Sequence, residues 1–178
     1  MLEKYNTWKL LELFFNAPLY SFHLREVCRL LSWSPTKVKS NINLLKKRNL
    51  IIESREKNLS LFRSNRENGE FKNYKIIYNL TKAFEIGKII EENLEDFDAI
   101  IFFGSALRGE DVENSDFDFC ITGTNEVEID LRRVKNELNR EISLLFLEDI
   151  EKTKRENPEL LNNLINGFVI KGYLKVLK

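Results

Sequence analysis

Apolar residues recur with helical spacing through the first 50 positions and then switch to the two-residue alternation of strands. Leu10, Leu11, Leu13, Phe14 and Phe15, with Trp8 upstream, predict a helix over roughly residues 3–16, ended near Pro18. From about Ser21, "FHLREVCRLL" places Leu24, Val27, Cys28 and Leu31 on one face, which predicts a second helix with His23 in its first turn. "SWSPTKVKSNINLLKKRN" then supplies a short turn, Ser34 as N-cap, Pro35 at the first helical position and the stripe Val38, Ile42, Leu45, predicting a third helix at roughly 35–48. "LIIESREKNLSLFRS" alternates, turns at Glu56, Lys57 and Asn58, and alternates again, as a β-hairpin does.

The polar, glycine-bearing stretch "SNRENGE" at 64–70 reads as a domain boundary. A long helix follows from Phe71 to about Asn93, where Tyr74, Ile77, Tyr78, Leu80, Phe84, Ile89 and Ile90 offer apolar surface for neighbours or for a second chain, so a homodimer is compatible with the pattern. Beyond it, "DAIIFFGS" at 98–105 reads as a buried strand delivering a Gly-Ser turn, and "DFDFCIT" at 116–122 alternates as a second strand. A helix at 129–138, a strand at 141–147, a helix at 149–166 around Pro158 and the closing "FVIKGYLKVL" complete the expectation. The chain is thus α+β, divided as 1–66, a connecting 67–93, and 94–178.

Charge sharpens that division. Residues 1–66 hold 13 Lys and Arg against 5 Asp and Glu, a net +8, which leaves 15 against 23, a net −8, for the rest of a chain whose overall charge is zero. Two segments of opposite sign suggest two tasks. Cys28, Cys120 and the single His23 are too few for a zinc cluster or a disulfide framework. No apolar run approaches the roughly 20 residues of a spanning helix, and the amphipathic start lacks a cleavage site. A soluble, cytoplasmic protein with no membrane partner is expected.

Helix, helix, tight turn, helix and hairpin over residues 3–64 resembles the winged helix-turn-helix domain of bacterial and archaeal transcription regulators. The resemblance implies a recognition helix at 35–48 in the major groove of DNA, with Ser34, Thr36, Lys37, Lys39, Ser40 and Asn41 or Asn43 near bases and phosphates, and with Arg55, Lys57 and Arg63 on the wing. The cluster Lys46, Lys47, Arg48 serves equally well as a helix C-terminus that complements its own dipole.

In the acidic half, Asp116 and Asp118 share one face of their strand while Phe117 and Phe119 take the other. Adjacent carboxylates repel, unless a divalent cation bound between them turns repulsion into coordination. Gly104 lets phosphate oxygens approach the backbone, and Ser105 can donate its hydroxyl. G-S, ten residues, then D-x-D, with R-G-E inside the loop, resembles the minimal nucleotidyltransferases of the DNA polymerase beta superfamily, over residues 94–178.

That resemblance implies Gly104, Ser105 and Arg108 on the triphosphate of ATP or another nucleoside triphosphate. It implies two Mg²⁺ ions on Asp116 and Asp118, and a nucleoside monophosphate, AMP from ATP, delivered to a protein or small-molecule hydroxyl. It also implies an antitoxin role toward a helical HEPN-type toxin, with the winged helix regulating its own operon. The family's third carboxylate falls on Ser143 of "NREISLLFLEDI", leaving Glu141 as the acid of that strand, starting roughly 6 to 7 Å further along. The alternative is a transcription regulator whose degenerate nucleotidyltransferase domain senses nucleotide without turnover.

Overall fold

The stripes on the first three helices meet in one core. In the computed structural model, which describes residues 5–56 and 59–176, Leu10, Leu11, Phe14 and Phe15 of α1 (Tyr5–Asn16) are buried with Val27 of α2 (Leu24–Leu31) and Val38, Ile42 and Leu45 of α3 (Pro35–Lys47). Ser34 caps α3 by accepting from the Lys37 amide at 3.3 Å, with Pro35 at the first turn where no amide is needed. The second helix starts at Leu24 rather than near Ser21, because a two-residue strand, β1 (Phe22–His23), precedes it, so His23 lies before the helix and not in its first turn. His23 is the N-cap of α2, in a capping box with Glu26, and the left-handed Ser32 ends that helix.

β2 (Ile51–Glu56) and β3 (Leu59–Ser64) form the expected antiparallel hairpin, and β1 adds to its far side to give a three-stranded sheet in the order β1-β3-β2. The turn residues Lys57 and Asn58 lie outside the described residues. The polar stretch 64–70 owes its composition to capping. Ser64 donates to the Phe14 carbonyl at 2.9 Å, Asn65 donates to the Asn49 carbonyl at 2.8 Å, and Asn68 accepts from the Phe71 amide at 3.0 Å to start α4 (Gly69–Glu92). The chain divides into two compact units, Met1–Tyr78 and Asn79–Lys178, so the division falls within α4.

The second unit is α+β. β4 (Ala99–Phe103), α5 (Gly104–Leu107), β5 (Phe117–Thr122), α6 (Arg132–Leu138), β6 (Ile142–Leu147), α7 (Ile150–Glu156), α8 (Pro158–Ile165) and β7 (Phe168–Gly172) follow in order. The mixed sheet runs β6-β5-β4-β7, parallel between β5 and β6 and antiparallel elsewhere. One face packs Phe102, Phe117, Phe119 and Ile121 against Ala83, Ile86 and Ile90 of α4. The other covers Ile101 and Cys120 with Leu164 of α8. The single helix expected at 149–166 is two helices, because Asn157 ends α7 and accepts from the Leu160 amide at 3.0 Å to cap α8 ahead of Pro158. No helix among the described residues is long and apolar enough to cross a membrane.

Candidate functional site

β4 is buried on both faces and ends at Phe103, so the chain turns at Gly104 with a tightly limited set of directions. Gly104 has φ +80°, a left-handed conformation that residues with a Cβ rarely adopt. A Cβ there would also run into the Asp118 carboxylate. The glycine is therefore required twice, once for its torsion and once for the approach of the turn to the aspartate. Phe103 pairs in register with Asp118, and Asp118 pairs in turn with Ser143. The Gly-Ser turn, the second aspartate and the serine thus meet at one end of the sheet. Phe117 and Phe119 face the other way, fully or almost fully buried.

Asp118 is half-buried, and burial raises its carboxyl pKa above the usual value; the negative charge of Asp116 adds to the rise, and Arg108 opposes it. Arg108 is itself exposed, with its Nε 2.9 Å from Glu110 Oε2. Ser105 is partly buried, and its carbonyl accepts from the Glu110 amide at 3.0 Å, which draws the start of the loop back over α5. Glu141 does not join the pair: its carboxylate receives Lys135 Nζ at 2.7 Å and is 71 % exposed, while only its backbone carbonyl reaches β5, at Phe117. Among the described residues no group of three His, Cys, Asp or Glu is assembled that could hold a metal ion.

A buried polar network lies under the same loop, and the sequence pattern did not point to it. Asp111 is fully buried and accepts from Arg140 Nη1 at 2.5 Å and from Asn79 Nδ2 at 2.9 Å. Asn79 also donates to the Ala106 carbonyl of α5 at 2.7 Å, and the Arg140 guanidinium lies 5.7 Å from the Phe117 ring centroid. The network therefore ties α4, α5, the loop, β5 and the entry to β6. An aspartate and an arginine separated by 29 positions carry no local signal of such pairing.

In the first unit, Ser34, Thr36, Lys39, Ser40, Asn43, Arg55 and Arg63 are exposed, and Lys37 holds its ammonium 4.1 Å from the Trp33 ring centroid. Asn41 is buried instead, accepting from Thr7 Oγ1 at 2.8 Å and donating to the Lys37 carbonyl at 2.9 Å, so it presents nothing to a partner. Two cations of the 46–48 cluster are engaged within the fold, Lys46 with Glu53 and Arg48 with Glu70 and the Tyr74 hydroxyl. Arg25 and Arg29, four apart on α2, line a cleft of about 860 Å³ with Lys39. Their spacing on the polar side of the helix was the available signal for these extra cations.

Residues 85–172 match the family described as "Polymerase beta, Nucleotidyltransferase". That segment, just under half of the chain, is similar to that family's nucleotidyltransferase domains, and it contains the whole Gly104–Asp118 arrangement. No curated protein and no solved structure matches the chain.

Proposed function

We propose that the second unit binds a Mg²⁺–nucleoside triphosphate, ATP foremost, between the Gly104–Ser105 turn and the Asp116–Asp118 pair, and transfers its nucleoside monophosphate to a hydroxyl group. The observation that supports this is the approach of Gly104 to Asp118, close enough to exclude a Cβ. Phosphate-compatible backbone and hard oxygen donors are thereby brought to one place. Asp116 and Asp118 fit a divalent cation, because burial and mutual repulsion make the Asp118 charge costly until a cation compensates it. Asp116 and Asp118 would hold one Mg²⁺ together with the nucleotide's phosphates; Ser143 brings no charge for a second. Bound Mg²⁺ would neutralise triphosphate charge. Gly104 and Ser105 would hold the phosphates, and Arg108, released from Glu110, would add a further cation.

The test is incubation with Mg²⁺ and ATP labelled at the α-phosphate, in the presence of a HEPN-type toxin as acceptor. Label transferred to the acceptor and lost in Asp118→Asn supports the reading; no ATP binding at all sinks it. A second reading, nucleotide sensing without transfer, is favoured by Ser143 beside Asp118 and by the engagement of Glu141 with Lys135. ATP binding without transfer, converted to transfer by Ser143→Asp, would establish that reading instead.

For the first unit the proposal is binding of duplex DNA. Its support is the excess of cations in residues 1–66 and the exposed face of α3, joined by Arg25 and Arg29 of α2. Affinity for random duplex should fall steeply between 50 and 200 mM salt, as expected for roughly 6 or more phosphate contacts. A homodimer would place two such faces on one operator, and sedimentation of the free chain tests that assembly.

A further inference from the structure

The two edges of the second unit's sheet are finished differently. β7 carries the usual defences of a free edge: its pairing with β4 slips at Ile100 and Ile101, Lys171 is held exposed on Glu91 at 2.8 Å, and Gly172 ends it with positive φ. β6 carries none of them. Its sequence "ISLLFL" has no Pro and no Lys, its register with β5 is unbroken over all six residues, and Leu144 to Leu147 are each only partly buried. The Glu141 and Leu147 carbonyls accept from Phe117 and Gly123, on the β5 side. Alternation along a parallel ladder then turns the N–H and C=O of Ile142, Leu144 and Phe146 toward the free edge. Among the described residues, no backbone hydrogen bond from segment 124–130 reaches β6.

Two clefts open along this strand. One of about 410 Å³ is lined by Ile142 and Leu144 together with residues 128–132, and another of about 570 Å³ by Leu144 to Leu147 with the start of α7. Their rims carry Glu126, Glu128, Asp130, Glu148, Asp149 and Glu156 against Arg132, Lys135 and Lys152. Two of those three cations are already engaged, Arg132 by Asp130 and Lys135 by Glu141. The free edge is therefore largely apolar, with Ser143 its single polar residue, and acidic along its rims.

We propose that β6 is a docking edge for an extended segment of a partner protein in which apolar and basic residues alternate, added to the sheet as a further strand. Backbone hydrogen bonds to Ile142, Leu144 and Phe146 would set its register, one set of its side chains would extend the apolar faces, and its Lys or Arg residues would meet the acidic rims. The assignment is independent of the nucleotide reading, since the strand's outer edge is separate from the Asp118 face.

The probe is a fluorescein-labelled eight-residue peptide of alternating Val and Lys, titrated into the full chain by anisotropy, with hydrogen exchange followed at residues 142–147. Saturable binding is expected, with slower exchange at Leu144 and Phe146 and affinity reduced about tenfold on raising salt from 50 to 300 mM. N-methylation of alternate peptide amides, and the exposed charge reversal Glu126→Lys with Glu148→Lys, should each weaken binding about tenfold. Equal binding of a Val-Glu peptide, binding without protection of β6, or indifference to N-methylation would each overturn the proposal. Protection of the same amides by self-association of the free chain would overturn it too, since the occupant would then be a second copy.

Discussion

Asp111 and Asp118 belong to one short stretch of chain, and the protein treats their charges in opposite ways. Asp111 is fully buried but has Arg140 and Asn79 as partners, so its charge is compensated within the fold. Asp118 is less buried, yet burial raises its proton affinity, the like charge of Asp116 adds to the rise, and Arg108 only opposes it in part. Burial alone does not distinguish a structural carboxylate from a functional one. What differs is the partner: Asp111 has a buried guanidinium within hydrogen-bond distance, and Asp118 has none.

The contrast can be broken most severely at the structural end. Arg140→Ala removes the cation that faces buried Asp111 and should cost about 3–5 kcal/mol in urea unfolding, while pairing Arg140→Met with Asp111→Asn should recover at least half. Circular dichroism is the suitable probe, because both tryptophans, Trp8 and Trp33, lie in the first unit. A loss under about 1 kcal/mol would mean that the Arg140–Asp111 pair does not hold this part of the fold together.

Gly104→Ala comes next. It combines left-handed strain of about 1–3 kcal/mol with a collision at Asp118, so ATP affinity should fall more than about tenfold. Retained affinity, measured by calorimetry, would show that turn and aspartate do not act as one site.

Asp118→Asn should move stability the other way. With its pKa raised in the folded state, the native protein holds this proton more tightly than the unfolded chain. That contribution is full below the ordinary Asp value, near pH 4, and is lost as pH rises through the raised value. The asparagine variant should therefore melt slightly above the parent at pH 7, by at most about 2 °C because Asp118 is only half-buried and solvent screens its charge, converge with it below about pH 4, and lose Mg²⁺-dependent ATP binding. A lower melting temperature at pH 7 would place Asp118 with Asp111 as a structural acid.

Glu141→Gln should do least. Its pair with Lys135 is exposed, so stability should change by less than about 0.5 kcal/mol, and ATP binding should be unchanged. A loss of label transfer in this variant would return Glu141 to the reaction.

Local pattern made much of the architecture legible. The stripes of α1 and α3 and the Ser34–Pro35 start of α3 rest on periodicity and capping that any window of sequence displays. β1 was not legible, because two residues cannot show alternation and Phe22 becomes a strand only by pairing with Phe62. Asn41 sits on the helix in a position suited to a partner until Thr7, 34 positions away, takes it inward. The break at Asn157 needed only closer attention to Pro158, whose ring cannot continue a helix.

The Gly-Ser turn, the spacing of ten and the alternation of Asp with Phe were written in the sequence, because torsional freedom and the two-residue period of a strand are local properties. Sequence alone also placed the charges in two halves. Tertiary structure decided the rest: that Ser143 stands beside Asp118, that Glu141 turns to Lys135, that Arg140 compensates Asp111, and that β6 is left with a free edge. Each of these depends on register or pairing between distant segments, and such contacts are set by the packing of the whole sheet.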